Sequence, residues 1–89
     1  MTSVLVIDIG NTSISAGLYR GGRIVRSCRL AQKDSTPAGR AALLKKLLRW
    51  RSASGTVIAS VVPRVNEEWA GAAFAAGGGP RRRLRRGYR

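Results

Sequence analysis

The chain has 89 residues, with 17 Lys and Arg against four Asp and Glu, for a formal charge of +13. A single cysteine and no histidine exclude an internal disulfide, a Cys/His zinc site, a Ser-His-Asp triad and any histidine general base. No run approaches the ~18 apolar residues of a membrane span, and no basic segment leads into a long apolar one, so the expectation is a cytoplasmic protein without a membrane partner.

The first element is the apolar run at residues 4–9, broken only by Asp8, which reads as a strand buried on both faces up to that carboxylate. A turn follows at once: Gly10, Asn11, Thr12. Residues 13–19 alternate, with Ile14, Ala16 and Leu18 on one face of a second strand. Arg20-Gly21-Gly22 is a turn, and residues 23–30 form a third strand with Ile24, Cys28 and Leu30 sharing a face. Connections this short make the three strands an antiparallel meander, in which Cys28 is a small buried hydrophobe.

The period then changes. Ser35-Thr36-Pro37 is a helix start, a hydroxyl N-cap followed by proline at the first helical position. Ala41, Leu44, Leu47, Leu48 and Trp50 follow at helical spacing, with Lys45, Lys46 and Arg49 toward water, and residues 52–55 end the helix. Residues 56–62 are a fourth strand stopped by Pro63, and a second helix runs from Asn66 to about Ala76. Asp34 suits a capping or solvated role beside the first helix, while Glu67 and Glu68 favour the first turn of the second.

The charge is unevenly placed. The last ten residues hold six arginines and no acid, whereas residues 1–79 hold eleven basic and four acidic residues, so the body carries +7 and the tail +6. Residues 77–89 are set apart as a Gly/Arg-rich tail with no assigned structure. Two readings of it stand. It is an arm for nucleic acid, with arginines on phosphates and Tyr88 stacked on a base, or an unselected segment of the kind that a shifted frame in GC-rich DNA produces.

The chemistry lies in the opening stretch. A strand that ends in a glycine turn can direct several backbone N–H groups at one point, which suits phosphate oxygens. Gly10 permits close approach, Thr12, Ser13 and Ser15 add hydroxyls, and Asn11 adds an amide. Asp8 beside these donors would repel phosphate unless Mg²⁺ intervened, directly or through water. The same residues also suit a plain hairpin, in which a Gly-Asn turn needs positive φ and Asp8 caps local amides.

The segment VLVIDIGNTSISAGLY, residues 4–19, resembles the first phosphate motif of the actin and sugar-kinase superfamily, in the form found in type III pantothenate kinases. TVIASVVP, residues 56–63, is similar to that family's fourth strand, and Gly21-Gly22, RLA at 29–31 and the leucine-rich helix fall in the matching order. The resemblance implies an α/β fold, an actin-like ATPase (ribonuclease H-like) domain in the order βββαβα over residues 1–76. It also implies transfer of a phosphoryl group from ATP to the hydroxyl of pantothenate, the first step toward coenzyme A. Carried over by residue, Asp8 would organise Mg²⁺, and Ile9, Gly10, Asn11, Thr12, Ser13, Ile14 and Ser15 would cradle the ATP phosphates. The family further implies a homodimer and a monovalent cation, K⁺, whose site is not among these residues. Its members run past twice this length, and the Gly-Ala-Asp-Arg segment that carries their catalytic base has no counterpart here. The expectation is therefore an incomplete domain, an opening portion without activity alone and with no catalytic residue to assign.

Overall fold

The computed structural model describes residues 2–49 and 52–82. Strands β1 (Ser3–Ile9), β2 (Ser13–Arg20) and β3 (Arg23–Ala31) lead through a short 3₁₀ turn at Gln32–Asp34 into helix α1 (Pro37–Leu48). Strand β4 (Gly55–Ser60), a second 3₁₀ turn at Pro63–Val65, helix α2 (Asn66–Ala75) and a two-residue strand β5 (Arg81–Arg82) follow. The βββαβα order expected from the sequence is the observed one, with β5 added. Trp50, expected on the apolar face of α1, lies outside the described residues, as does the tail from residue 83 onward.

The sheet runs β3-β2-β1-β4-β5. β1, β2 and β3 form the antiparallel meander, while β4 lies parallel to β1, with Leu5 opposite Thr56 and Ile9 opposite Ser60. A parallel partner needs a crossover, and α1 supplies it. The helix begins as its sequence dictates: Thr36 Oγ1 accepts from the Gly39 N–H at 3.0 Å, and Pro37, which has no N–H to satisfy, takes the first helical position.

Both helices cover one face of the sheet. Leu5, Ile7 and Ile9 of β1 and Ile14, Ala16 and Leu18 of β2 form a single core with Leu43, Leu44, Leu47 and Leu48 of α1 and Trp69 and Ala73 of α2. This corrects the expectation for β1. Only alternate residues are buried; Val4 and Val6 on the opposite face stay half-buried and Asp8 is exposed, because no described helix lies over them.

Four further expectations change. Ile24 does not share the face of Cys28 and Leu30. A bulge between Leu18 and Tyr19 shifts the β2–β3 register, so that Leu18 faces Arg26 while Tyr19 faces Ile24. One extra residue exchanges the faces of a strand, and Ile24 emerges on the uncovered side, packed over Gly17 and 57% exposed. In α1, Ala41 is exposed and Leu43 takes the buried position, together with Arg40, whose Nη1 donates to the Ser35 carbonyl at 2.8 Å. Strand β4 stops at Ser60 rather than residue 62, because Ser60 Oγ accepts from the Val62 N–H at 3.0 Å and turns the chain before Pro63. Finally, residues 77–82 belong to the fold. Gly77 and Gly79 take φ of 96° and 80°, which only glycine adopts readily, and the reversal brings Arg81 and Arg82 beside Thr56 and Val57. The fully buried Thr56 hydroxyl donates to the Gly78 carbonyl at 2.9 Å, and the Thr56 N–H donates to the Pro80 carbonyl at 2.9 Å.

Candidate functional site

β1 and β4 are parallel and end side by side, with the Val61 N–H donating to the Ile9 carbonyl at 3.0 Å. Ligands of parallel α/β sheets bind beyond such carboxyl ends, and the turn from β1 to β2 occupies that edge. Ile9 and Ile14 face each other across the turn and are fully buried in the core. Their side chains anchor the turn from below and are not free to touch a ligand, so any contact from these two residues comes from backbone.

The turn residues themselves are accessible. Asn11 and Thr12 are exposed and Ser13 is half-buried. The Gly10 N–H donates to the Ser13 carbonyl at 2.9 Å, closing the turn. Among the described residues, neither backbone nor side chain accepts from the N–H of Asn11 or Thr12, which leaves two donors free at the edge. Neither Gly10 nor Asn11 has positive φ, so the plain-hairpin explanation of the glycine does not hold. A Cβ at Gly10 would stand 3.1 Å from the Ser13 carbonyl oxygen, and the requirement is therefore for closeness rather than for a left-handed backbone.

Asp8, Ser15 and Arg29 form one row across three strands, since Asp8 lies opposite Ser15 and Ser15 opposite Arg29. All three sit on the uncovered face and line a shallow depression of about 470 Å³, which also includes Val6, Gly17 and Ile24. Asp8 and Ser15 are cross-strand neighbours, whereas Asp8 and Arg29 are two strands apart, about 10 Å. The Asp8 carboxylate makes no hydrogen bond or ion pair among the described residues, and Asp8 is the one acid lining the depression. Glu67 instead bridges to Arg81 at 3.0 Å, and Asp34 closes the first 3₁₀ turn.

One residue of this site carries no signal in the sequence. Gln32, just past β3, donates its backbone N–H to the Thr12 carbonyl and its side-chain Nε2 to the Gly10 carbonyl, both at 2.9 Å. The contact spans 22 residues of sequence, and only the hairpin register brings the two segments together.

The metal implied for this site can be tested against these residues. Among the described residues no three potential ligands cluster. One exposed carboxylate without an internal partner, beside free phosphate donors, fits a cation that arrives with its phosphates and keeps most of its water shell. That is the habit of Mg²⁺.

Known proteins give the same outline. The family model described as "Type III pantothenate kinase" matches residues 4–82. Among solved structures, the ROK hexokinase from Thermus thermophilus superposes with a TM-score of 0.64 at 19% identity, over 93% of this chain and 33% of the hexokinase. An inorganic polyphosphate/ATP-glucomannokinase from Arthrobacter sp. strain KM gives 0.47 at 17% identity, over 94% of this chain and 44% of that one. The fold is thus one shared with the ROK hexokinase, and the chain spans about a third of the length of that protein.

Proposed function

This chain belongs to the type III pantothenate kinase family, and from that premise we propose that its β1–β2 turn holds the phosphates of Mg²⁺–ATP for phosphoryl transfer to the hydroxyl of pantothenate. The observation that carries the proposal is the pair of free N–H groups on Asn11 and Thr12 beside the unpartnered Asp8 carboxylate. Backbone donors fixed in a turn cost little reorganisation when charge builds on phosphate oxygens, which is the main protein contribution in this reaction class.

Each residue then has a task. The Asn11 and Thr12 amides and the hydroxyls of Thr12, Ser13 and Ser15 hold phosphate oxygens, while Gly10 keeps the turn tight enough for them to converge. Asp8 would hold the metal, directly or through water, and Arg29, on the far side of Ser15, adds positive charge along the same row. Magnesium, when bound, supplies neutralisation of the phosphate charge. These residues account for the phosphoryl donor. No described residue is assigned as the base that takes the proton of the acceptor hydroxyl, and neither K⁺ nor a dimer contact is assigned to the described residues. The reading therefore includes no catalysis by these 89 residues alone. Titration of ATP into the protein with magnesium, and again with excess chelator, tests it: binding that requires the metal supports the reading, and equal heats in both cases contradict it.

A further inference from the structure

The phosphate reading of the turn leaves open what holds its donors outward. A peptide unit is planar and trans, so the C=O of one residue and the N–H of the next point in opposite directions. Gln32 Nε2 fixes the Gly10 carbonyl at 2.9 Å, and the same peptide carries the Asn11 N–H. The Gln32 backbone N–H fixes the Thr12 carbonyl at 2.9 Å, and that peptide carries the Ser13 N–H. One residue therefore sets the direction of two peptide dipoles, drawing both carbonyls toward itself and turning both N–H groups away.

The Ser13 carbonyl is occupied too, since it accepts from the Gly10 N–H at 2.9 Å, whereas the Asn11 carbonyl, whose peptide carries the Thr12 N–H, has no partner among the described residues. A carbonyl rotated outward would present a partial negative charge where a phosphate oxygen should sit. The residues between β1 and β2 are not held by positive φ or by a described helix cap, so the Gln32 side chain is the restraint on the first of these peptides. Its half-buried position shields that hydrogen bond partly from competing water.

We propose that Gln32 is a positioning residue for the phosphate turn: its side chain locks the Gly10 carbonyl inward so that the Asn11 N–H faces the nucleotide, while its backbone N–H holds the Thr12 carbonyl. The inference rests on the phosphate reading above and adds to it a specific residue that never touches the ligand. Its backbone bond survives any substitution, so side-chain variants test the Gly10–Asn11 peptide alone.

The test is titration of Mg²⁺–ATP into the full 89-residue chain and into Gln32→Met and Gln32→Glu. Methionine keeps the length of the side chain and loses the donor. Misdirecting one N–H to a charged oxygen should weaken binding about tenfold or more, with the melting temperature little changed. Glutamate donates only when protonated. Its deficit relative to the parent should be large at pH 8 and shrink toward pH 5 while its melting temperature relative to the parent stays level, a pairing that a purely structural role would not produce. If methionine lowers the melting temperature appreciably, the pH dependence of the glutamate variant decides. Variants that bind Mg²⁺–ATP as tightly as the parent at pH 8 overturn the role of Gln32 and leave the phosphate reading intact. A parent chain that binds no Mg²⁺–ATP overturns both.

Discussion

Replacing Thr56 by valine removes one hydrogen bond and nearly nothing else. Thr56 is fully buried, its hydroxyl donates to the Gly78 carbonyl at 2.9 Å, and that carbonyl has no other partner among the described residues. Valine fills the same space, so packing is conserved while an acceptor is stranded in the interior. Leaving a buried polar group unsatisfied costs roughly 1–3 kcal/mol. For a domain of this size each kcal/mol moves the melting temperature by about 4–8 °C, so a loss near 2 kcal/mol lowers it by about 8–16 °C. Thr56→Ser is the control: it keeps the hydroxyl and gives up one methyl group, about 0.8 kcal/mol and correspondingly about 3–6 °C. The assay is thermal unfolding followed by circular dichroism at low protein concentration, with amide hydrogen exchange at Gly78 and Thr56 as the local probe. Valine should melt below serine, and its amide protection should fall first at this junction. A valine variant that melts within about 2 °C of the parent would refute the argument, because residues 77–82 would then not be fastened to β4 through this bond.

Two other outcomes follow from the same structure. One face of the sheet carries no described helix, Tyr19 and Ile24 stand exposed on it, and β3 presents an open edge; the isolated chain should therefore self-associate as its concentration rises, and a sharp, reversible transition from a monomer in sedimentation and melting experiments would contradict this. Deleting residues 83–89 removes four arginines while sparing β5, and should abolish most affinity for nucleic acid without changing the circular dichroism spectrum; any binding by the parent should fall steeply with salt, and a sequence preference that survives high salt would show true recognition.

How much of this was legible in the sequence depended on the distance over which each contact acts. The hairpins and the start of α1 are local: alternation at Ile14, Ala16 and Leu18, glycines at 21 and 22, and the Thr36-Pro37 pair each encode their own geometry within a few residues. The turn from Asp8 to Ser15 was legible for the same reason, since strand end, glycine and hydroxyls lie side by side. What could not be read arises between segments. The bulge at Leu18/Tyr19 depends on how two strands align, and it reverses Ile24 although the alternation of β3 alone suggests otherwise. The Gln32 clamp and the Thr56–Gly78 bond each join residues 22 apart, and neither side chain has a local cue. Composition also misled at the carboxyl end, where Gly77-Gly78-Gly79 resembles a linker but supplies the positive φ that returns the chain to the sheet edge.

The central claim is that the Asp8 carboxylate serves metal and nucleotide rather than the fold, and Asp8→Asn tests it most directly. The residue is exposed and has no partner among the described residues, so the isosteric amide should leave the circular dichroism spectrum and melting temperature close to those of the parent. Loss of the charge should weaken magnesium-dependent ATP binding by roughly tenfold or more, the range expected for an interaction with a charged group. Isothermal titration and circular dichroism on the parent and this one variant give the answer. The account predicts an unchanged fold with impaired binding; a variant that unfolds, or one that binds Mg²⁺–ATP as well as the parent, would contradict it.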